Sequence, residues 1–276
     1  MNATVRGLTH LIFGANTDVG KTVITAGLVR ACQGSIPGAH YIKPLQCGGS
    51  DQNFVRKHAP SQTVSATTLF EWESPTSPHA ASRKENLPVS DDEVVTALQN
   101  CLDHLRADQP HLPCWIETAG GVLSPSSSSP MNRQSWHATN DAGWGWRTQG
   151  DLYSHFKNDM DVVMIGDGRL GGISATLSSL ESLLSRGYNV TGLVLIEAGY
   201  SNQNAIREYA SRSCPVPFGS DALLFENPMA SIVSLPTLPP EPEPLMDWYE
   251  SAEVTETLES FVKDHLKKTW ERKRSS

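Results

Sequence analysis

Gly14-Ala15-Asn16-Thr17-Asp18-Val19-Gly20-Lys21-Thr22 brings two glycines, a lysine and a hydroxyl together within one short segment. Backbone N–H groups freed by a glycine turn and by the first turn of a helix cradle polyphosphate. The lysine then reaches the β/γ-phosphates, and the threonine hydroxyl is a Mg²⁺ ligand. Five residues separate Gly14 from Gly20, one more than in the usual phosphate loop, and Ala15 stands in the usual glycine's place. Lys43, Asp51 and Glu117 follow in order. A second lysine beside the loop would stabilise charge on a transferring phosphoryl group. The two carboxylates, placed in loops after strands, would join Thr22 in the oxygen shell of Mg²⁺. Both lysines are expected outside the packed core. Gly171-Gly172-Ile173-Ser174 opens a helical pattern, where free N–H groups and the helix dipole suit a carboxylate. His79, between proline and alanine, reads as a hydrogen-bonded structural histidine rather than a base.

These residues need strands and helices to hold them. Leu8 to Phe13 is a short apolar run ending in Gly14, and Val23 to Ala31 reads as a helix, so the loop joins strand to helix. Ala39 to Ile42 is a second strand, expected to open into a loop at Lys43-Pro44. Cys114 to Ile116 is a third, with Glu117 directly after it. Ser90 to Glu93 is a capping box leading an apolar stripe from Val94 to Leu105 at helical spacing. Asp161 to Ile165 and Val190 to Ile196 are further strands, separated by a helix carrying Ile173, Leu177, Leu180 and Leu184. Strands apolar on both faces and alternating with helices predict a three-layer α/β fold: a mainly parallel sheet covered by helices on both faces, P-loop NTPase-like. Ligands then bind at the carboxyl ends of the strands.

Residues 124–150 break the pattern with four consecutive serines and Trp136, Trp144 and Trp146, and predict a surface insertion. Prolines at 236, 239, 240, 242 and 244 mark an extended linker. It precedes one amphipathic helix with Val254, Leu258, Phe261, Val262 and Leu266 on its apolar stripe and a basic end. The expected organisation is therefore a catalytic domain over 1–235 and a linker with a terminal helix over 236–276.

At the lengthened phosphate loop the chain resembles dethiobiotin synthetases, and further blocks extend the resemblance over about residues 8 to 230. Lys43-Pro44-Leu45-Gln46-Cys47-Gly48 with Asp51, Pro75-Thr76-Ser77-Pro78-His79, Glu117-Thr118-Ala119-Gly120-Gly121, Arg169-Leu170-Gly171-Gly172-Ile173 and Glu226-Asn227-Pro228 are similar to that family's blocks, in the same order. The resemblance implies ATP- and Mg²⁺-dependent closure of a ureido ring, converting 7,8-diaminononanoate and CO₂ to dethiobiotin with release of ADP and phosphate in biotin biosynthesis. It implies nucleotide contacts at Asp18, Val19, Gly20, Lys21, Thr22 and Val23, and at Asp51, Glu117, Thr118, Ala119 and Gly120. Metal ligation falls to Thr22, Asp51 and Glu117, and catalysis to Lys43 and Lys21, with Thr17 near a carbamate intermediate. Substrate contacts fall to Cys47 and to Gly171, Gly172, Ile173 and Ser174, often across a homodimer interface.

Some positions depart from that family's pattern. Cys47 replaces a Ser or Thr, and Thr118 replaces a glycine. Ile196 stands where bacterial members have an adenine-reading Asn, which leaves base recognition to Glu197 or to backbone near Ala222, Leu223 and Leu224. The insertion and Thr118 look more like eukaryotic members fused to a pyridoxal-phosphate aminotransferase.

Two other readings compete. A partitioning-type ATPase switch carries a signature lysine early in its loop, where Asn16 stands here, and a non-catalytic nucleotide-binding relative is compatible with Cys47 and Ile196. A glutamine-dependent amidoligase needs an additional glutaminase domain, for which 276 residues leave little room. The net charge of −8 argues against nucleic acid or an anionic membrane as main partner, and no apolar run reaches the roughly 18 residues of a membrane span. Five cysteines without a paired spacing predict reduced thiols in an intracellular, soluble protein of cytoplasm or mitochondrial matrix.

Overall fold

The computed structural model describes residues 8–32, 37–128, 147–211, 232–240 and 244–275. Strands β1 (Thr9–Gly14), β2 (Ala39–Cys47), β3 (Thr63–Trp72), β4 (Cys114–Gly121), β5 (Asp161–Ile165), β6 (Val190–Ile196) and β7 (Ile232–Leu235) form one sheet. Their order is β3-β2-β4-β1-β5-β6-β7, and every pair is parallel. Alternate residues of each strand face opposite sides, so β1 sends Leu11 and Phe13 into one core and Ile12 into the other. The first core is covered by helices α3 (Pro78–Glu85), α4 (Asp91–Asp108), α6 (Gly172–Ser185) and α7 (Asn202–Ser211), with the short α5 (Gln149–Leu152). The second is covered by α1 (Lys21–Ala31), α2 (Asp51–His58), α8 (Leu245–Glu250) and α9 (Ala252–Ser275). The predicted three-layer architecture is present, and no helix among the described residues is long and apolar enough to cross a membrane.

The capping box is formed as expected, with Glu93 N–H donating to the Ser90 hydroxyl and the Glu93 carboxylate accepting from Ser90 N–H. β5 and β6 have the expected bounds. Strand β2 differs, because it runs on through Lys43 and Pro44 to Cys47. Its pairing with β4 stops at Ile42↔Ile116, while that with β3 continues to Cys47↔Trp72. Beyond Ile42 the strand is bonded on one side only, and such an edge tolerates proline.

The ends of the segment expected as an insertion are anchored. Asp91 at the start of α4 accepts from the Ser126 hydroxyl at 3.0 Å and from Ser128 N–H, and Pro125 bridges to Thr148. Trp136, Trp144 and Trp146 lie outside the described residues. Past the prolines, Val254, Leu258, Phe261, Val262 and Leu266 are buried in the second core.

Candidate active site

The carboxyl ends of β1, β2 and β4 meet over α1, at the point where successive connections leave toward opposite edges of the sheet. Gly20, with φ of 84°, caps α1 without a side-chain hydrogen bond, so first-turn N–H groups of the helix remain available to an anion. Asp18 also adopts a left-handed conformation, which lets the lengthened loop turn back onto the helix. The loop is tethered on its other side. Ala15 N–H donates to Ile165 O at 2.8 Å, the Ser179 hydroxyl donates to Ala15 O, and Arg169 donates to Thr17 O at 3.4 Å.

Around the loop lies a cavity of about 640 Å³. Thr17, Asp18, Gly20, Lys21, Thr22 and Val23 line one wall, Lys43, Cys47 and Asp51 a second, and Glu117, Ala119 and Gly120 a third. Sequence order and spatial convergence therefore agree for most of the expected residues. Two local environments differ from expectation. Glu117 is not in a loop: it sits inside β4 with 0% exposure, and Asp51 is the first residue of α2. The lysines also differ, since Lys21 is 8% and Lys43 5% exposed. Lys43 is held by a strand residue and a helix residue, Glu117 and Asp51, whereas Lys21, the first residue of α1, donates to Asn16 O of the loop at 3.3 Å.

Register explains the cluster. Ile42 pairs with Ile116, so Lys43 and Glu117 stand side by side one position further on, facing α1. Lys43 Nζ lies 2.9 Å from Glu117 Oε1 and 2.6 Å from Asp51 Oδ2, and its third donor reaches Thr118 O at 3.4 Å. The Thr22 hydroxyl donates to the same Glu117 Oε1 at 2.9 Å, and the Tyr41 hydroxyl donates to Oε2 at 3.1 Å. Gln46 fixes the start of α2 by accepting from Asp51 N–H while donating to Gly48 O.

Burial and the neighbouring Lys43 ammonium lower Lys21 to about 8, against the opposing pull of Glu117, Asp51 and Asp18. Burial would also lower Lys43, but Glu117 and Asp51 outweigh it and raise the group above its ordinary value. Burial pushes the Cys47 thiol up to about 11, so it faces the cavity as a neutral group. Thr22, Asp51 and Glu117 offer hard oxygens of two charges and a hydroxyl, a donor set that fits Mg²⁺.

Other expected residues lie elsewhere. Val19 is buried in the second core, and the Thr118 hydroxyl turns into the sheet to donate to Ile12 O at 3.0 Å. Gly171, Ile173 and Ser174 line a separate open cavity of about 660 Å³ with Leu170, Tyr200 and Tyr209. Arg169, the residue before Leu170 of that cavity, is bonded to Asp167 and, through Thr17 O, to the phosphate loop. Ile196 packs against Gly20, since a Cβ built on that glycine would lie 2.6 Å from Ile196 Cδ1. Glu197 uses its backbone N–H to extend the sheet toward Leu235, and Ala222, Leu223 and Leu224 lie outside the described residues. His79 bonds the Ser77 hydroxyl at 2.9 Å on the cavity rim. Sequence reasoning missed Tyr41, Gln46 and the Ser124 rim. Tyr41 alone carried a signal, being two residues before Lys43 and therefore on the same face of a strand.

A family model for an AAA domain matches residues 9–138. The chain is 29% identical over 315 residues to the bifunctional dethiobiotin synthetase/7,8-diamino-pelargonic acid aminotransferase, mitochondrial, of Oryza sativa subsp. japonica, covering 91% of this chain and 34% of that protein. It is 29% identical over 188 residues to the ATP-dependent dethiobiotin synthetase of Chlamydia pneumoniae, covering 67% of this chain and 69% of that one. The chain is a dethiobiotin synthetase homologue. This homologue spans about a third of the length of the bifunctional rice relative. A crystal structure of a ParA family ATPase from Chlorobium tepidum TLS superimposes with a TM-score of 0.50 at 8% identity, over 93% of this chain and 99% of that one. At that identity the likeness establishes the fold alone.

Proposed function

We propose that this dethiobiotin synthetase homologue is an ATP- and Mg²⁺-dependent ligase that closes a ureido ring on 7,8-diaminononanoate with CO₂, giving dethiobiotin, ADP and phosphate. The observation that carries the reading is the convergence of Lys21, Thr22, Lys43, Asp51 and Glu117 on one cavity. In the reaction one substrate amine adds to CO₂ and loses a proton to give a carbamate. A carbamate oxygen then attacks the γ-phosphorus with ADP leaving. The second amine attacks the activated carbonyl and loses a proton, and phosphate leaves as the ring closes. Covalent participation by the protein is not required, so its contribution is positioning and charge stabilisation. The free N–H groups at Gly20 and the Lys21 ammonium bind the polyphosphate, and Lys43 supplies the second positive charge facing the transferred group. Thr22, Asp51 and Glu117 would hold Mg²⁺, which would supply positive charge to offset that of the phosphates. Thr17 and Cys47 border the space left for carbamate and diamine. Gly171, Ile173 and Ser174, which line the second cavity, and the buried Gly172 between them are assigned to the substrate carboxylate, with a second copy of the chain completing a homodimer. Base contacts are assigned to Glu197 and the segment containing Ala222 to Leu224. Fusion to an aminotransferase, as in the rice protein, and a cytoplasmic or matrix setting belong to the same reading.

The test is ADP release measured with and without diaminononanoate and bicarbonate, with dethiobiotin identified by mass. Release that depends on both substrates is expected. Nucleotide hydrolysis indifferent to the diamine overturns the ligase reading and favours an ATPase switch.

A further inference from the structure

Tyr41 is fully buried in β2, and the reaction as described gives it no role. Its hydroxyl reaches Glu117 Oε2 at 3.1 Å, while Thr22 and Lys43 both reach Oε1 at 2.9 Å. The two oxygens of one carboxylate are thus divided between the strand interior and the cavity. The Tyr41 hydroxyl, fully buried behind the carboxylate, acts as its donor on the side away from Thr22 and Lys43. With its rear oxygen tied to a buried donor, the carboxylate turns a single oxygen, the one that accepts from Thr22 and Lys43, toward the cavity.

We propose that Tyr41 is a positioning residue that fixes Glu117 as a one-oxygen ligand and thereby biases the metal site toward Mg²⁺ and against Ca²⁺. The inference rests on the metal–nucleotide reading above. Mg²⁺ demands a small octahedral shell and keeps its waters, whereas Ca²⁺ accepts more oxygens and takes carboxylates through both of theirs. Removing the Tyr41 hydroxyl frees Oε2 and lets the carboxylate turn, which penalises the rigid shell more than the adaptable one. Loss of a partner behind a metal ligand typically lowers metal affinity roughly 10- to 100-fold.

ADP binding is to be titrated calorimetrically at graded Mg²⁺ and, separately, graded Ca²⁺, for wild type and Tyr41→Phe. The Mg²⁺ concentration giving half-maximal enhancement should rise about tenfold in the variant, with that for Ca²⁺ unchanged or lower. A merely structural tyrosine would lower the melting temperature and leave the ratio of the two ions alone. An equal rise for both ions, or none, overturns the proposal. ADP binding by wild type that ignores divalent ions overturns the metal reading first. Should Tyr41→Phe not fold, a crystal structure of wild type with ADP and Mn²⁺ decides: Glu117 ligating through Oε1 alone supports the proposal, and ligation through both oxygens ends it.

Discussion

Lys43 is bound to two carboxylates in a nearly dry layer, and this makes its removal a structural event as well as a chemical one. Lys43→Met should cost about 3–5 kcal/mol of stability, because it leaves Glu117 charged and buried without its cation. Ring closure should fall roughly 100- to 1,000-fold. Adding Glu117→Gln should restore part of the stability and none of the turnover. Denaturant melts of both variants read the first effect, and wild-type stability in Lys43→Met would mean that Glu117 is held by other groups. Lys21 gives a pH signature instead. Its ammonium loses the proton near 8 in the free protein, while an unfolded chain keeps it to the ordinary 10.5. Between those values the unfolded state holds more protons, so stability rises with pH, whereas phosphate binding weakens as the charge is lost. ADP affinity should therefore fall as pH increases through about 8, and Lys21→Arg, charged throughout, should lose that dependence. A flat affinity profile for wild type removes Lys21 from the phosphate contacts. These two lysines, Thr22, Asp51 and Glu117 were legible in the sequence because chemistry restricts what can follow a phosphate loop. Tyr41 was not, since its spacing from Lys43 gives only the strand face it shares and not whether a tyrosine there fills the core or holds a carboxylate.

The same contrast holds among elements. β5 and β6 are buried on both faces, and such strands announce themselves as continuous apolar runs. β3 lies at the edge of the sheet, half exposed and rich in threonine, so no periodicity marks it. Four-residue β7 is too short to stand out, and α2 buries only Val55 and His58. Pro44 suggested a strand end, because one-sided pairing cannot be read before the sheet order is known. The turn after β2 shows how such elements shape the site. Gly48 has φ of 64°, and a Cβ there would lie 2.7 Å from Pro75 Cβ and 2.8 Å from its Cα. Pro75 begins the cavity rim that runs to Pro78, and Glu85 pins the preceding turn by accepting from Glu73 and Ser74 N–H. Gly48→Ala should strain the turn and press this rim outward, costing about 1–3 kcal/mol. The Michaelis constant for the diamine should rise more than that for ATP, whose loop lies on the opposite wall. Equal changes in both constants would count against a rim that shapes the diamine side.

At the scale of the molecule, the chain after the prolines returns to brace the helix that starts at the phosphate loop. The Tyr249 hydroxyl donates to Val23 O at 2.7 Å, one residue beyond Thr22. Arg30 lies over the Tyr249 ring and donates to His58 O at 2.7 Å, tying α8, α1 and α2 together. Gly27 admits the contact between helices, since a Cβ there would lie 2.7 Å from Leu258 Cδ1, and Gly192 makes the same room for Phe261 over β6. The apolar stripe from Val254 to Leu266 was readable at helical spacing, but its docking face was not, because periodicity gives a helix an apolar side without naming what covers it. The packing predicts that 236–276 contributes to the stability and nucleotide affinity of the rest. Phe261→Ala should cost about 3–5 kcal/mol, as expected for emptying a buried aromatic site. Tyr249→Phe keeps the ring and removes only the bond to Val23, so it should lower stability by about 1 kcal/mol. If α8 steadies the first turn of α1, that variant should also weaken ADP binding several-fold with little change in diamine affinity. Calorimetric titration and thermal melts of both variants separate the two effects. Phe261→Ala melting like wild type, with unaltered ADP binding, would make the terminal helix a separate appendage.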